Sequence, residues 1–233
     1  MEAIILAGGL GTRLRSVVSE VPKCMAPVCG VPFLHYQLQY LSGFKEINRV
    51  ILSVGYLREV IFDWISKQKL PFEIAYAIEE TPLGTGGGIK LALSKLNGKE
   101  AIILNGDTFF DVNLSELAET SACNKQAITL ALKEMTDFDR YGTVQLDNGG
   151  IISKFNEKKP CAKGLINGGI YHIDLNKIPL SSFPDKGSFE KEVLEVNVDK
   201  ENLRGYISNG YFIDIGIPED YQKANEDFLS LFK

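Results

Sequence analysis

Ala3-Ile4-Ile5-Leu6-Ala7-Gly8-Gly9-Leu10-Gly11-Thr12-Arg13-Leu14 is the stretch on which the fold turns. Five apolar residues in a row, stopped by glycines, read as a short strand buried on both faces. The glycines that follow let backbone N–H groups approach a ligand closely, and Arg13 adds a cation that can clamp phosphate oxygens. In an open α/β sheet ligands bind at the carboxyl ends of strands, which is where this loop falls. A dinucleotide fingerprint starting at Gly9 would need glycine where Leu14 stands, and no G-K-[ST] follows here or in Gly84 to Lys90, so neither a Rossmann dinucleotide site nor a P-loop is present.

The same alternation continues outward. Pro32 to Gly43 carries Phe33, Leu34, Leu38 and Leu41 at helical spacing, with Gly43 as C-cap. Arg49 to Val54 is a β-branched strand, Leu57 to Gln68 a helix with Val60, Ile61, Trp64 and Ile65 on one face, and Phe72 to Ile78 a third strand. A glycine-rich turn at Gly84, Gly86, Gly87 and Gly88 leads into a helix to about Leu96, and Ala101 to Leu104 is a fourth buried strand. Strands alternating with helices predict a mostly parallel sheet with right-handed crossovers. The second half is richer in strands: Ala127 to Leu132, Thr143 to Leu146, Ile151 to Phe155 and Ile170 to Ile173, with a hairpin turn at Asp147 to Gly150. Pro218 to Leu231 closes the chain as a helix, and no linker-like boundary divides residues 1–233, which read as one domain.

Composition narrows the function. The 233 residues carry a net charge of −5 and are 45% hydrophobic, enough for a full core. An acidic balance argues against nucleic acid or anionic membrane as partner. No apolar run is long enough to span a bilayer, and Glu2 stands where a secretory signal would be basic, so the cytoplasm is the expected location. Cys24, Cys29, Cys123 and Cys161 form no C-x-x-C pair and there are only two histidines, which disfavours a zinc site. Positive charge is local instead. Arg13, Arg15 and Lys23 face only Glu20 between Gly8 and Pro27, and Lys154, Lys158, Lys159 and Lys163 face only Glu157 in a second segment. Asp107, in Leu104-Asn105-Gly106-Asp107, follows a buried strand, and Asp214 is flanked by Ile213 and Ile215. Either acid alone suits a turn or cap. Two of the same kind point to Mg2+, which prefers one or two carboxylates plus phosphate oxygens.

In these motifs the chain resembles the sugar-1-phosphate nucleotidyltransferases. The resemblance runs in order over almost the whole length: G-G-x-G-T-R-L at Gly8 to Leu14, Pro22-Lys23, L-G-T-x-G at Leu83 to Gly87, Asn105-Gly106-Asp107, Tyr141-Gly142, Glu157-Lys158-Lys159-Pro160, Asn167 to Tyr171, and Asp214 to Tyr221. It departs from the common pattern at Ser16, Cys24, the extra Lys159 and Ile217. The resemblance implies a Rossmann-like, mixed, mostly parallel sheet flanked by helices (the nucleotide-diphospho-sugar transferase fold), with a β-richer sugar-binding second half. It implies Arg13, Lys23 and Asp107 as catalytic, and Asp107 with Asp214 as ligands of Mg2+. Leu6, Ala7, Gly8, Gly9, Gly11, Thr12, Glu80, Pro82, Gly84, Thr85 and Gly86 would surround the nucleotide. Tyr141, Gly142, Glu157, Lys158 and Asn167 would hold the sugar phosphate, with Lys159 as an alternative to Lys158. The substrates would be a nucleoside triphosphate and a sugar 1-phosphate, and a homodimer would be unsurprising. The Pro82 to Gly88 loop and Asp107 to Asp111 look most like members transferring guanylyl to a heptose 1-phosphate, ahead of mannose 1-phosphate and of uridylyl transfer. Guanine's N1–H and N2 donors would suit a carboxylate such as Glu79 or Glu80. A non-catalytic regulatory subunit would be expected to have lost some of Arg13, Lys23, Asp107 and Asp214, and a nucleotide-binding oxidoreductase lacks its fingerprint.

Overall fold

The computed structural model describes residues 1–9, 14, 18 and 20–232. In chain order its first half contains β1 (Glu2–Leu6), the short hairpin β2 (Pro27–Val28) and β3 (Val31–Pro32), α1 (Phe33–Ser42), β4 (Arg49–Val54), α2 (Arg58–Ile65), β5 (Glu73–Ile78), α3 (Gly84–Leu93) and β6 (Glu100–Asn105). The second half adds β7 (Thr108–Phe110), α4 (Leu114–Ala122), β8 (Ile128–Phe138), β9 (Thr143–Leu146), β10 (Ile152–Phe155) and β11 (Cys161–Asp174). A π-helical segment (Glu190–Glu195) runs into the single turn α5 (Val196–Val198), followed by β12 (Leu203–Ser208), β13 (Phe212–Asp214) and α6 (Pro218–Leu231).

The fold is the expected mixed sheet flanked by helices. Strands β5, β4, β1 and β6 are mutually parallel, and β11 joins β6 antiparallel. Along the sheet the order is β10-β9-β11-β6-β1-β4-β5, with β8 branching from β11 and β12 pairing with β8. The chain thus leaves β1 towards β4 and β5, then crosses back to place β6 on the other side of β1. That reversal is a topological switch point, and it opens a crevice at the carboxyl ends of β1 and β6.

Alternating side chains feed two apolar layers. Ile4 lies level with Ile51 and Ile103, and this row packs under α3 with Ile89, Ala92 and Leu93. Ile5, level with Leu52 and Leu104, faces the opposite layer with Leu34, Leu38 and Leu41 of α1. Each such burial contributes about 1.5–3 kcal/mol before chain entropy is counted.

Several elements differ from the sequence reading. Helix α3 starts at Gly84 itself, so the glycines lie in its first turns rather than in a preceding loop. Strands β8 and β11 run to 11 and 14 residues because their outer halves pair with each other over exposed polar positions, which carry no hydrophobic signal. Helix α4 was not foreseen, although Asn113 and Glu116 form an N-cap pair, with the Asn113 side chain accepting from the Glu116 N–H. Strand β12 was likewise not foreseen. Among the described residues no helix is long and apolar enough to cross a membrane.

At the opposite end of β1, Glu2 is buried and accepts from Arg49 Nη1 (2.8 Å), Asn97 N (2.9 Å) and Gly98 N (2.8 Å). Burial pushes its carboxyl up, but the Gly98 N–H, the Arg49 guanidinium and the Asn97 N–H outweigh this and hold it below the usual carboxylate range. A depressed folded-state value contributes stability at neutral pH that is lost as pH falls through it. Glu2→Gln is therefore expected to cost roughly 1–3 kcal/mol in urea denaturation at neutral pH. The difference from wild type should shrink below the ordinary glutamate range, and a gap that does not change with pH would remove the carboxylate from the account.

Candidate active site

The crevice at the switch point is lined from both strands. Beyond β1, Ala7 N is held by Ser53 O at 2.8 Å, and beyond β6, Gly106 N reaches Leu6 O at 3.2 Å. A cavity of ≈ 430 Å³ opens there. Leu6, Ala7, Gly8 and Gly9 form one wall, Glu79, Pro82, Gly84, Thr85 and Gly88 a second, and Lys23, Cys24, Asn105, Gly106 and Asp107 the remainder. At Gly8 a Cβ would stand 2.6 Å from Glu79 Oε1, so glycine is what lets the loop backbone approach that carboxylate. Glu79 accepts from Ser53 Oγ (3.1 Å) and from Leu83 N (3.2 Å). The Cys24 thiol is fully buried, which pushes its pKa up to about 12, so it lines the wall as an inert group.

Of the sequence-predicted nucleotide residues, Leu6, Ala7, Gly8, Gly9, Pro82, Gly84 and Thr85 border this cavity, while Gly11, Thr12 and Arg13 lie outside the described residues. Two others are placed elsewhere. Glu80 does not border the cavity and pairs with Arg58 (3.2 Å), because successive residues leaving β5 point to opposite sides and it is Glu79 that faces in. Gly86 is buried against Pro184 and Phe189, its N–H bonded to Gly187 O at 2.9 Å.

A second cavity of ≈ 580 Å³ adjoins the first, and Asn105 borders both. Its walls come from the second half: Arg140, Tyr141 and Gly142; Lys158; Asn167, Gly168, Gly169 and Tyr171 of β11; Glu190; Phe212 and Asp214 of β13; and Gly216, Ile217 and Asp220, with Thr108 completing the rim. A register shift between Asn167 and Tyr171 breaks β11 here, with Gly169 at φ +74°. Asn167 donates to the Tyr171 hydroxyl (3.0 Å) and accepts from Gly169 N (3.0 Å). The predicted Tyr141, Gly142, Lys158 and Asn167 all border this cavity. Lys158 borders it and Lys159 does not, while Glu157 is exposed and also stays outside the lining.

Three bordering charges escaped the sequence reading. Arg140 bonds Asp220 (2.6 Å) and lies over the Tyr141 ring, while Glu190 accepts from Thr85 Oγ1 (3.0 Å) and Ser188 Oγ (2.8 Å). Arg140 was detectable by its place before Tyr-Gly. Glu190 sits in no motif, and only tertiary folding brings it beside Thr85. Burial, followed by the nearby Asp214 charge, pushes Tyr141 up to about 12, so it is a neutral phenol. Neither histidine borders either cavity.

The two cavities meet at a charge cluster. Lys23, in the 3-10 turn Lys23–Met25, bonds Asp107 Oδ2 and stands 3.7 Å from Asp214 Oδ1. Strands β7 and β13 pair so that Asp214 is opposite Thr108, and Ile215 N donates to Asp107 O at 2.9 Å. Asp214 Oδ1 also accepts from Gly216 N (2.7 Å), and Asp107 Oδ1 from Thr108 Oγ1 (3.2 Å). Among the described residues no group of three or more His, Cys, Asp or Glu gathers around one point. Two carboxylates with a cation between them, open to two cavities, fit a hard divalent ion that completes its shell with phosphate oxygens, and do not fit an all-protein cage.

Comparison with known proteins agrees with this geometry. The Nucleotidyl transferase family profile matches residues 2–230. A D-glycero-alpha-D-manno-heptose 1-phosphate guanylyltransferase of Aneurinibacillus thermoaerophilus is 47% identical over 227 residues, covering 97% of this chain and 98% of the relative. The enzyme of the same name from Campylobacter jejuni is 49% identical, covering 95% and 97%. The crystal structure of HddC from Yersinia pseudotuberculosis complexed with GMP-PN superposes with a TM-score of 0.84 at 36% identity, covering 97% of this chain and 99% of that one. With its glycine-lined crevice, its paired acids and this match along nearly the full length, the chain belongs to the Nucleotidyl transferase family.

Proposed function

We propose that this protein transfers GMP from GTP to D-glycero-α-D-manno-heptose 1-phosphate, giving the GDP-heptose and pyrophosphate. The observation that carries the reading is the pair of adjoining cavities meeting at Lys23, Asp107 and Asp214. Each cavity takes one substrate, and the charges stand where the two phosphate groups must meet. The choice of guanine and heptose is supported by the two relatives of that name, which cover this chain almost end to end. The reaction fits a single domain spanning residues 1–233, Mg2+ as the divalent ion and a cytoplasmic setting.

In the proposed reaction a phosphate oxygen of the sugar 1-phosphate attacks the α-phosphorus of GTP in line. A new P–O bond forms, the bond from the α-phosphorus to the bridging oxygen breaks, and pyrophosphate leaves with that electron pair. The nucleophile is already an anion at neutral pH, so no general base is needed. The obstacle is bringing two polyanions together and stabilising the charge that develops. Mg2+ held by Asp107 and Asp214 would supply charge neutralisation at the phosphate oxygens. Lys23 is assigned to the α-phosphate and Arg13 to the leaving pyrophosphate. Lys158 and Arg140 receive the sugar phosphate, the Gly142 N–H and Asn167 contact the sugar, and Glu190 accepts from a sugar hydroxyl in the place first given to Glu157. The Gly8 and Gly9 backbone frames the nucleotide. Glu79 is the carboxylate that accepts from guanine N1–H and N2.

Pyrophosphate release measured with each of the four nucleoside triphosphates against heptose, mannose and glucose 1-phosphates tests the whole reading. GTP with heptose 1-phosphate is expected to be fastest. Preference for mannose 1-phosphate would replace the sugar, preference for UTP would replace the base, and no release with any pair would leave a non-catalytic subunit.

Asp107→Asn is expected to lower kcat roughly 10²–10³-fold or more, on the scale of losing one transition-state-stabilising group. Its unfolding temperature should stay near that of wild type, and near-normal turnover would dismiss the metal assignment. Glu79→Gln should raise KM for GTP about 10-fold or more, the loss of a charge-assisted hydrogen bond being worth ~1.5–3 kcal/mol. An unaltered GTP-to-ATP preference would show that the base is read elsewhere.

A further inference from the structure

We infer that Gln37, a residue of α1 that borders neither cavity, is a positioning residue for Asp107 and sets the affinity of the junction for its divalent ion. The inference rests on the reading of Asp107 as a metal-binding catalytic carboxylate. Gln37 is 1% exposed and lies in the apolar stripe of α1 among Leu34, Leu38 and Leu41. An amide in such a place costs desolvation unless its polar atoms are bonded. Its Nε2 donates to Asn105 O at 2.8 Å and to Thr108 O at 2.9 Å. These carbonyls belong to the last residue of β6 and the first of β7, so one side chain grips both ends of the two-residue connection Gly106-Asp107.

The chemistry fixes the orientation of this amide. Both neighbours are carbonyl acceptors, so only the NH2 group can face them. The cost falls on the other atom, since Gln37 Oε1 is buried without a hydrogen-bond partner among the described residues. An apolar side chain, in line with its neighbours, would donate neither bond. What the amide supplies is a fixed turn. Gly106 N on Leu6 O ties that turn to β1, and Ile215 N on Asp107 O ties it to β13. Gln37 adds the anchor on the α1 side, which stops the turn from rolling between the other two and swinging the carboxylate. Groups that orient a metal ligand from behind are commonly worth a 10–100-fold change in metal affinity or activity.

The test uses Gln37→Met, which keeps length and volume but loses both donors. Mn2+ affinity in the presence of GTP is read by electron paramagnetic resonance, kinetics by pyrophosphate release, and folding by the unfolding temperature. Mn2+ binding and kcat are expected to weaken about 10–100-fold with KM for the sugar phosphate unchanged. Added to Asp107→Asn, the same substitution should produce no further loss of Mn2+ affinity. Wild-type Mn2+ affinity and kcat in Gln37→Met, while Asp107→Asn loses both, would overturn the role of Gln37 alone. If Asp107→Asn retains both, the reading of Asp107 fails and this inference falls with it.

Should Gln37→Met not fold, Gln37→Leu decides, since it is apolar like its neighbours on α1 and likewise donates to neither carbonyl. Mn2+ affinity and kcat equal to those of wild type in that variant would overturn the proposal.

Discussion

The Lys23 ammonium between Asp107 and Asp214 is the interaction on which the arrangement of the site depends. Asp214 ends β13, and Asp107 stands in the turn just before β7, tied by its carbonyl to Ile215 N, so the pairing of β7 with β13 holds the two carboxylates close. Like charges held this way repel each other, a cost that an intervening cation offsets. A positive partner is therefore built in, on a turn that follows Pro22. The three groups come from positions 23, 107 and 214, so the cluster forms only when both halves of the chain have folded onto each other. Net charge hides this: the chain as a whole is acidic, and its working cations are few and placed by topology.

That topology does most of the placement. The reversal between β1 and β6 brings Gly8 and Gly9 beside Gly106 and Asp107 without any long loop. The second half then lays β7 and β13 across the mouth of the crevice, so the acid after β6 and the acid ending β13 face the same space. Helix α1 supports this from beneath through Gln37, and one turn later Tyr40 grips the backbone of Val112 just beyond β7.

Much of this could be read from residues alone, where a local signal and its function coincide. Ala3 to Leu6 lie in β1 because they are apolar, and the glycines that follow Ala7 are the ones that border the crevice. Asn105-Gly106-Asp107 works the same way, as a strand end and a turn at once. Choosing between Glu79 and Glu80 required knowing which way the chain leaves β5, a parity that two adjacent identical residues do not reveal. Glu157 was placed by motif and is exposed, whereas Glu190 was missed because its position follows from packing between stretches about a hundred residues apart.

The glycines of α3 show how packing and chemistry share one sequence signal. The start of α3 docks on the backbone of residues 185–189: Gly86 N donates to Gly187 O, Gly187 N to Leu83 O, and Phe189 N to Thr85 Oγ1. Lys90 fastens the same segment through Asp185 at 2.7 Å. A Cβ at Gly84 or Gly87 would strike that backbone, so close approach by itself already requires glycine there. The docking has a consequence for the site. Thr85 borders the first cavity and donates to Glu190, which borders the second, so a hydrogen bond joins the walls of the two.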